Sequence, residues 1–599
     1  MLSGVKSPRH RAVRHPFLTP PWDEDHPAMR RIDATLPADH HARWLLRLVS
    51  QLDLTALRLC YANRGSLAYP VEPLLAFVLL MYSQGELSPA RWAHHAKYDD
   101  QAKWLLRGLL PSRSRLYAFR DRLEPFLDEW HQQLLRWAIA EGITSAARGS
   151  LDGSLVAALA SRHQLMSPRR VDRRLLLLRR LVWLEGEGPQ PDLAARLADL
   201  PWLLVTAWVL CLDLLGAGVA AGPLLDTLLG LMVLLELLGP QGAPEGTMPW
   251  QPRLPAWVPP SVAGRRRVLK RYEDAQQRLA SRLAPYQRKK QLSKKDQQAI
   301  KRLKVSLTDP EAALGWDKVG TYRPLYNLVL VQATDANLTL GWDVLGRNND
   351  DGLLRPLMEK TTQQLGRPLR EVLVDGGFVS VADVAWCEQQ GITVYAPPGQ
   401  AGAAPGEAAP GPGPKPPPQA AQPPRHNGAA KPPQQLAKGA FRYDSASGVY
   451  YCPQGKRLAE AFRTTEKRSG GLELPVIVHR ASGQDCQACP QQKGCTSNPS
   501  KGRVVKRYQG EEALERLAGR MAEPASQRVY RLRCQSVELG YADLKEHRGL
   551  RVFRCFGSKR ARTQAGLVIL ASNGLKILAA LQRRDRPAQA HPPPEKRPA

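Results

Sequence analysis

The sequence contains little cysteine and no apolar stretch near its first residue. Nine cysteines occur among 599 residues, and the opening segment MLSGVKSPRHRAVRHPFLTP is basic, without the apolar region of a secretory signal. We therefore expect a reducing, cytoplasmic environment, in which clustered cysteines bind metal more often than they form disulfides.

Acidic residues are scarce relative to basic ones. The chain has 85 lysines and arginines against 55 aspartates and glutamates, a formal net charge of +30. A surplus of this size predicts a polyanionic partner, most often nucleic acid, and so an association with the nucleoid. The alternative is a basic protein without such a partner. The length predicts several domains.

A long charge-free apolar run is also missing. The segment 201–240 is strongly apolar, but acidic residues interrupt it, so no charge-free run exceeds 13 residues. A membrane-spanning helix needs about 20 mostly apolar residues. We therefore predict a buried helical hairpin or a partner-facing surface and no membrane, with membrane association as the less favoured alternative.

Periodicity and composition divide the chain into segments. Apolar residues three and four apart predict helices in the first part, whereas YRPLYNLVLVQAT, LTLGWDVLGR and REVLVDGGF predict strands of an α/β core. The predicted segments are a basic disordered arm (1–32), a helical domain (33–145), the first part of the α/β core (146–166 and 303–398), a helical insertion with the apolar hairpin and a basic helix (167–302), a disordered linker rich in Pro, Ala and Gly (399–439), a cysteine module (440–503), helices (504–583) and a disordered tail (584–599).

Two aspartates occupy unusual places in the predicted strands. Asp152 is followed by Gly-Ser, and Asp375 ends an apolar strand and is followed by two glycines. A carboxylate at the C-terminal end of a strand projects into the crevice where open α/β sheets hold ligands, and glycine lets a bulky backbone come close. The alternative is ordinary turn chemistry, in which Asp-Gly is common.

A third acidic residue, Glu538, lies in the predicted helix RVYRLRCQSVELGYADLKEHRGLRVFR. Residues Val537, Tyr541 and Leu544 predict a packed face beside it. Arg531 and Lys545, each seven residues from Glu538, fall on its stripe of the helix. Two cations flanking an acid suit a site that holds metal and phosphate, whereas an exposed ladder of ion pairs is the alternative.

Four cysteines cluster late in the chain. Cys452, Cys486, Cys489 and Cys495 are spaced C-x33-C-x2-C-x5-C. Four thiolates suit a closed tetrahedral Zn²⁺ site, which we predict as a structural zinc. The alternatives are no metal and an iron–sulfur cluster.

Basic and aromatic residues alternate in EHRGLRVFRCFGSKRARTQ, which includes Arg548 and Arg551. This pattern favours contact with a nucleic-acid backbone together with stacking or wedging. The alternative is a packed aromatic pair surrounded by solvated charges.

The combination resembles bacterial insertion-sequence transposases of the DDE type, through LDGSLVAALASRH, VLVDGGF and YRLRCQSVELGYADLK. The resemblance implies an RNase H-like mixed sheet flanked by helices, preceded by an all-α DNA-binding domain and interrupted by insertions, one of them bearing cysteines. It implies that Asp152, Asp375 and Glu538 hold two Mg²⁺ ions, or Mn²⁺. It also implies double-stranded DNA partners, the element ends and the target, and a homodimer or larger assembly.

The chain departs from the signature Y-x2-R-x3-E-x6-K of the hairpin-forming branch. Here Tyr530, Arg533, Glu538 and Lys545 give Y-x2-R-x4-E-x6-K. On a regular helix Arg533 would point away from Glu538, and Arg531 would share its face, so either arginine is a candidate for phosphate contact.

Transposition by Mg²⁺-dependent strand cleavage and strand transfer is the function we expect. One alternative is a metal-dependent DNA nuclease that performs no strand transfer. The other is a catalytically silent DNA-binding protein derived from a transposase.

Overall fold

The computed structural model describes residues 17–61, 67–186, 255–289, 291–397, 436–467 and 473–585. The first half of the predicted arm, the apolar segment 201–240, nearly all of the predicted linker and the tail from residue 586 lie outside the described residues.

The first part of the chain is helical, as predicted. Helices begin at residues that suit a helix start, such as Pro27 and Pro89, or follow a capping residue such as Ser112, whose hydroxyl accepts a bond from the Arg115 amide. The helices are α1 (Pro27–Thr35), α2 (His41–Ser50), α3 (Thr55–Leu59), α4 (Val71–Ser83), α5 (Pro89–Tyr98), α6 (Asp100–Leu106), α7 (Arg113–Arg122) and α8 (Leu127–Ala140).

The ordered structure starts earlier than the sequence predicts. Helix α1 begins inside the predicted arm 1–32, and its Met29 and Ile32 are buried. Helix α4 is buried on every side because its sequence VEPLLAFVLLMYS has no polar face.

A six-stranded mixed sheet forms the centre of the described structure. Strand β5 pairs with the three strands β1, β4 and β6, and β1, β7 and β8 continue the sheet on the other side. These strands are β1 (Arg148–Ala157), β4 (Ala313–Trp316), β5 (Tyr322–Ala333), β6 (Thr339–Leu345), β7 (Glu371–Val374) and β8 (Thr393–Tyr395). Helices α12 (Leu354–Leu365) and α13 (Val381–Gln389) connect the strands from β6 to β8. The predicted β5–β6 hairpin and the α/β alternation after it are confirmed.

Strand β1 is central because it pairs on both sides. It runs antiparallel to β5, with Asp152 opposite Leu330, and parallel to β7, with Leu151 beside Val374. Strands β7 and β8 are also parallel. The parallel register places the C-terminal end of β7 beside the middle of β1.

The inserted segment forms a helical pair. Helices α9 (Pro168–Gly186) and α10 (Val262–Gln287) pack together, and α11 (Lys294–Arg302) follows. A two-stranded ribbon, β2 (Leu165–Met166) with β3 (Val305–Ser306), ties the start of α9 to the end of the insertion. Ser293 and Asp296 form a reciprocal capping box at α11.

The cysteine module is a second sheet of five antiparallel strands in sequence order. Its strands are β9 (Arg442–Asp444), β10 (Val449–Tyr451), β11 (Arg457–Lys467), β12 (Glu473–Ala481) and β13 (Val504–Tyr508), with the short helices α14 (Gly483–Gln487) and α15 (Gln492–Cys495) between β12 and β13. The chain then continues as α16 (Glu511–Ala522), α17 (Pro524–Arg533), a π-helical segment (Cys534–Glu538), α18 (Leu539–Ala542), a second π-helical segment (Asp543–His547) and α19 (Ser558–Asp585).

Helix α19 joins the N-terminal helices to the central sheet. It packs on α2, α4 and α8 on one side and on β6 on the other. Asn573 accepts a bond from the Thr339 amide at 3.0 Å and donates one to the Thr339 carbonyl at 2.8 Å. Among the described residues, α19 is the one helix long and apolar enough to cross a membrane, but most of it is buried inside the protein.

The predicted boundary between a helical domain (33–145) and the α/β core is not a boundary in packing. One continuous hydrophobic cluster runs from α1 through the central sheet to α19. Arg562 of α19 reinforces the junction because it pairs with Glu124 at 3.1 Å, with Asp128 and with Asp343 of β6 at 3.4 Å. The mixed α/β class is confirmed, with the N-terminal helices sharing its core.

We predict that Asn573→Ala destabilises the whole described core. The substitution leaves the buried Thr339 amide without its side-chain partner, which costs about 1–3 kcal/mol for an unsatisfied buried group, whereas the Thr339 carbonyl keeps its contact with His131 at 2.8 Å. Urea unfolding measures the loss, with the exposed Arg583→Ala as the matched control on the same helix. A change below about 0.5 kcal/mol, the level of a surface substitution, would contradict the role assigned to Asn573.

Candidate active site at strands β1 and β7

Asp152 lies on β1, and Asp375 directly follows the end of β7, the parallel neighbour of β1. Because Leu151 pairs with Val374, the residue that follows each of these two is one of the aspartates. Both carboxylates accept a bond from the following glycine, Asp152 from Gly153 at 2.9 Å and Asp375 from Gly376 at 2.6 Å. The structure therefore brings together two residues that are more than 200 positions apart in the sequence.

The charge of Asp152 is costly in this place. Burial raises the pKa of its carboxyl, and the negative charges of Asp350 and Asp375 add to the effect, while Arg533 acts in the opposite direction. The Arg533 guanidinium pairs with Asp152 Oδ1 at 3.0 Å. The site therefore carries a surplus of negative charge, which Arg533 neutralises in part.

The glycines that follow the two aspartates differ in their surroundings. A Cβ at Gly153 would collide with the carboxylate of Asp350, which accepts a bond from the buried Asn327 amide at 2.7 Å. No atom lies within 4 Å of a Cβ built at Gly376 or Gly377. Only the glycines after Asp375 thus face the open space that the sequence predicts beside both aspartates.

The sequence does not indicate that Asp350 lies near Asp152, because the segment NNDD is typical of a loop.

The helix that carries Glu538 lies across the sheet. Val537, Tyr541 and Leu544 are buried against it, which confirms the predicted packed face. The Tyr541 hydroxyl lies 2.8 Å from the carbonyl oxygens of both Asp152 and Leu328, so the helix is fixed on β1 and β5 at the level of the first aspartate.

The helix that carries the two arginines is not regular. Residues Cys534–Glu538 are π-helical, and a π turn bonds residue i to residue i+5. The directions of the side chains before and after this segment therefore differ from those on a regular α-helix. Arg533 meets Asp152, whereas Arg531 is exposed. The extra residue in the signature is accommodated by the π turn.

Lys545 also reaches β1. Its ammonium donates a hydrogen bond to the hydroxyl of Ser154, two residues beyond Asp152 on the same strand face. Burial lowers the pKa of Lys545 to about 8, with the positive charges of Lys318 and Arg551 acting in the same direction and Asp152 opposing them. Lys545 and Arg533 thus place two cations along the carboxylate face.

Tyr530 and Glu538 complete the predicted set. Burial raises the pKa of Tyr530 to about 12, with Arg533 opposing this and Asp375 adding to it, so its hydroxyl stays protonated near the second aspartate. Glu538 is exposed and hydrogen-bonds the Cys534 thiol, whose pKa is raised by burial and by Glu538. In the part of the chain that the structure describes, no three His, Cys, Asp or Glu side chains are close enough to hold a metal ion.

Arg548 and Arg551 differ in their environments. Arg548 donates to the Ser83 carbonyl at 2.7 Å and pairs with Asp543 at 3.3 Å, and its side chain is only 12% exposed. Arg551 is exposed and pairs with Glu546. The structure therefore uses Arg548 to hold α4 and leaves Arg551 as the accessible cation. Phe553 is buried and packs edge-on against Tyr326.

The four clustered cysteines converge in the second sheet. Cys452, Cys486, Cys489 and Cys495 all line one cavity of about 310 Å³. Burial raises the pKa of Cys495, Arg503 opposes this, and the other three cysteines raise it further. The Arg503 amide donates to Cys486 Sγ at 3.4 Å, and its side chain donates to the Cys495 carbonyl at 2.7 Å. Cys387 and Cys555 are buried elsewhere, as expected of core positions.

Comparison with known families gives one match. Residues 451–578 match the family model described as a transposase DDE domain. The matched segment covers about a fifth of the chain, includes Glu538 and the cysteine cluster, and confirms the resemblance to DDE transposases. It supports a transposase role, cleavage of nucleic acid and a DNA partner. Neither the curated proteins nor the solved structures gave a match.

We predict that deletion of Gln535 is tolerated. Removing one residue between Arg533 and Glu538 turns the π turn into an α turn and leaves the flanking residues in place. The melting temperature should fall by less than about 4 °C, which corresponds to less than about 1 kcal/mol for a large domain. Deletion of the exposed Gly519 in the regular helix α16 is the control and should destabilise much more. Equal losses for the two deletions would contradict the role given to the π segment.

Proposed function

We propose that the chain is a DNA transposase that cuts a strand and joins the new 3′ end to target DNA. The observation that carries the proposal is the placement of Asp152 and Asp375 side by side, under a helix that bears Arg533, Glu538 and Lys545. The match to a transposase DDE domain supports the same reading.

The strand order supports an RNase H-like core. A central strand, β1, lies antiparallel to the hairpin strand β5 and parallel to β7, with β8 beyond β7. The first two carboxylates then sit on the two inner parallel-paired strands, and the third comes from a later helix. This is the arrangement that the resemblance implies for the sheet.

The donor set fits divalent metal ions of the Mg²⁺ type. Asp152, Asp375 and Glu538 offer hard carboxylate oxygens, and the unfavourable charge at Asp152 favours a cation there. When bound, such ions activate a water or 3′-hydroxyl and stabilise the leaving oxygen. Asp152 and Asp375 would hold them. Among the described residues Glu538 is exposed and forms no three-residue metal group with the two aspartates, so it would have to move toward them to complete the set.

The cations of the site have a separate task. Arg533 neutralises Asp152, and Lys545, anchored on Ser154, presents positive charge along the same face. Phosphate oxygens are the natural partners of these two groups. We infer that they hold the DNA strand beside the carboxylates, with Arg551 further out. Arg531 is exposed, and its contact with phosphate stays a prediction.

The two alternative functions give different outcomes. A nuclease would cut but would not join a pre-cut 3′ end to target DNA, and a silent DNA-binding protein would do neither. We propose strand transfer by an insertion-sequence element, acting in the cytoplasm on nucleoid DNA as a dimer or larger assembly. A strand-transfer assay with a pre-cut 3′ end separates the three functions.

We further propose a structural Zn²⁺ ion in the cysteine cavity. Four thiols of the donor type found in closed zinc sites line one small cavity, and Arg503 contacts Cys486 and Cys495. In the described structure no three of these thiols are close enough to hold an ion, so they would have to draw together when Zn²⁺ binds. Binding of the ion would hold the two short helices α14 and α15 against the sheet.

We predict that Asp375→Asn abolishes Mg²⁺-dependent cleavage. The asparagine amide removes one negative charge from the Asp152–Asp375 pair. Loss of a residue that only supports a metal ligand lowers activity by up to about 100-fold, so loss of the proposed ligand itself should lower cleavage by more than about 100-fold. DNA binding, measured by gel shift, should stay within a few-fold of wild type. Asp351→Asn, in an exposed loop, is the control. Undiminished cleavage by Asp375→Asn would overturn the assignment.

We predict about one zinc per chain in protein purified without chelator. Metal analysis should find that Cys489→Ser lowers this content, whereas Cys60→Ser, an exposed cysteine far from the cluster in sequence, leaves it unchanged. Chelation should lower the melting temperature of the wild type. Zinc-free wild-type protein with an unchanged melting temperature would contradict the proposal.

A further inference from the structure

The helical insertion concentrates the positive charge of the protein. Residues 165–186 and 255–306 contain 21 lysines and arginines but only five aspartates and glutamates, a net charge of +16 out of +30 for the chain. A charged helical face is often only solvated. The structure separates the cations that hold the insertion together from those that face outward.

Four arginines have internal roles. Arg174 donates to the Tyr272 hydroxyl at 2.8 Å and stacks on Trp257 at 4.4 Å, and the buried Arg265 donates to the Pro260 carbonyl at 2.7 Å. Arg278 contacts the Glu311 carbonyl, and Arg282 donates to the Ala312 carbonyl at 2.8 Å. The last two fix α10 to the start of β4, so the insertion has a defined position on the core.

The outward-facing cations gather at the attached end of the insertion. Arg169, Arg170 and Arg173 are exposed on the first turns of α9, and among the described residues none of them forms an ion pair. The β2–β3 ribbon brings residues 301–304 to the same end. The exposed cations of that neighbourhood are Lys301, Arg302 and Lys304.

A short segment of chain joins the strand that carries Asp152 to this end of the insertion. Strand β1 ends at Ala157, five residues after Asp152, and β2 begins at Leu165. The β4–β5 hairpin, which pairs with β1 through β5, carries Trp316, which is 66% exposed and packs against Tyr322. Arg282 of α10 donates to the Lys304 carbonyl at 3.0 Å and to the Ala312 carbonyl just before β4, so α10 is held beside both the exposed cations at 301–304 and this hairpin.

We propose that Arg169, Arg170 and Arg173 bind the sugar–phosphate backbone of duplex DNA flanking the bond that is cut. The inference rests on the proposed function and adds a second DNA surface, outside the carboxylate site. Exposed guanidinium groups on a helix in a strongly basic segment are suited to bind phosphates. Phosphate contacts require no particular base sequence. The contact should therefore be general for duplex DNA and strongly dependent on salt.

The test measures binding of the full chain to duplex DNA that extends on both sides of the cleavage position. All variants carry Asp375→Asn, so that no cleavage occurs. The triple variant R169Q/R170Q/R173Q is compared with R169K/R170K/R173K, which keeps the charge, and with a control that removes the exposed cations Arg457, Arg480 and Lys493 of the cysteine module. Circular dichroism verifies folding.

Each lost phosphate contact lowers the slope of log K against log salt by about 0.9. The glutamine variant should lose about 2.7 from the slope and bind at least about tenfold more weakly at 0.1 M salt, while the lysine variant and the control stay near the parent. An unchanged slope in the glutamine variant, or an equal loss in the control, would overturn the proposal. Cleavage by the chain with Asp375 intact tests the proposed function separately, so the two failures are distinguishable.

Discussion

The parallel pairing of β1 with β7 forces two carboxylates into one small region, and the surrounding structure compensates for that repulsion. Asp152 is partly buried and lies next to the negative charges of Asp375 and Asp350. Arg533 offsets part of this cost directly, at 3.0 Å. The Asn327 side chain donates a hydrogen bond to the Asp350 carboxylate, and the absence of a Cβ at Gly153 leaves space for that carboxylate. Without a function that needs negative charge, this arrangement would be an expensive way to build a sheet.

The helix over the site depends on the same constraint. Tyr541 attaches it to the carbonyl of Asp152, and Lys545 attaches it to Ser154. The π-helical segment Cys534–Glu538 lies between Arg533 and Tyr541, and it therefore affects the position at which Arg533 contacts Asp152. Irregular helical turns of this kind are frequent at functional sites, where backbone regularity is given up for side-chain placement. Helix, sheet and charge pairing thus form one unit.

Much of this could be predicted from the sequence because local patterns govern it. The strands YRPLYNLVLVQAT and REVLVDGGF, the packed face of Val537, Tyr541 and Leu544, and the clustering of the four cysteines all follow from periodicity or spacing. The pairing of Arg533 with Asp152 could not be predicted, since a helical wheel assumes a regular helix. Asp350 was missed because its partner Asn327 is remote in sequence and its loop has no distinctive pattern.

The shared core was also beyond sequence reasoning. Nothing local in α19 shows that one face packs on the N-terminal helices and another on β6, because its sequence is apolar on all sides. Two long-range contacts decide it, the Asn573–Thr339 pair and the Arg562 ion pairs. The predicted division at residue 145 marks a change of sequence periodicity. The hydrophobic core, in contrast, contains residues from both sides of that position.

We propose that Asp152, Asp375 and Glu538 act together on divalent metal. The most direct measurement is Mn²⁺ binding by electron paramagnetic resonance, with the full chain bound to DNA. We predict that wild-type protein binds Mn²⁺ and that Asp152→Asn, Asp375→Asn and Glu538→Gln each weaken binding strongly. Wild-type affinity in the Glu538→Gln variant would contradict it, because the helix would then contribute no ligand to the site.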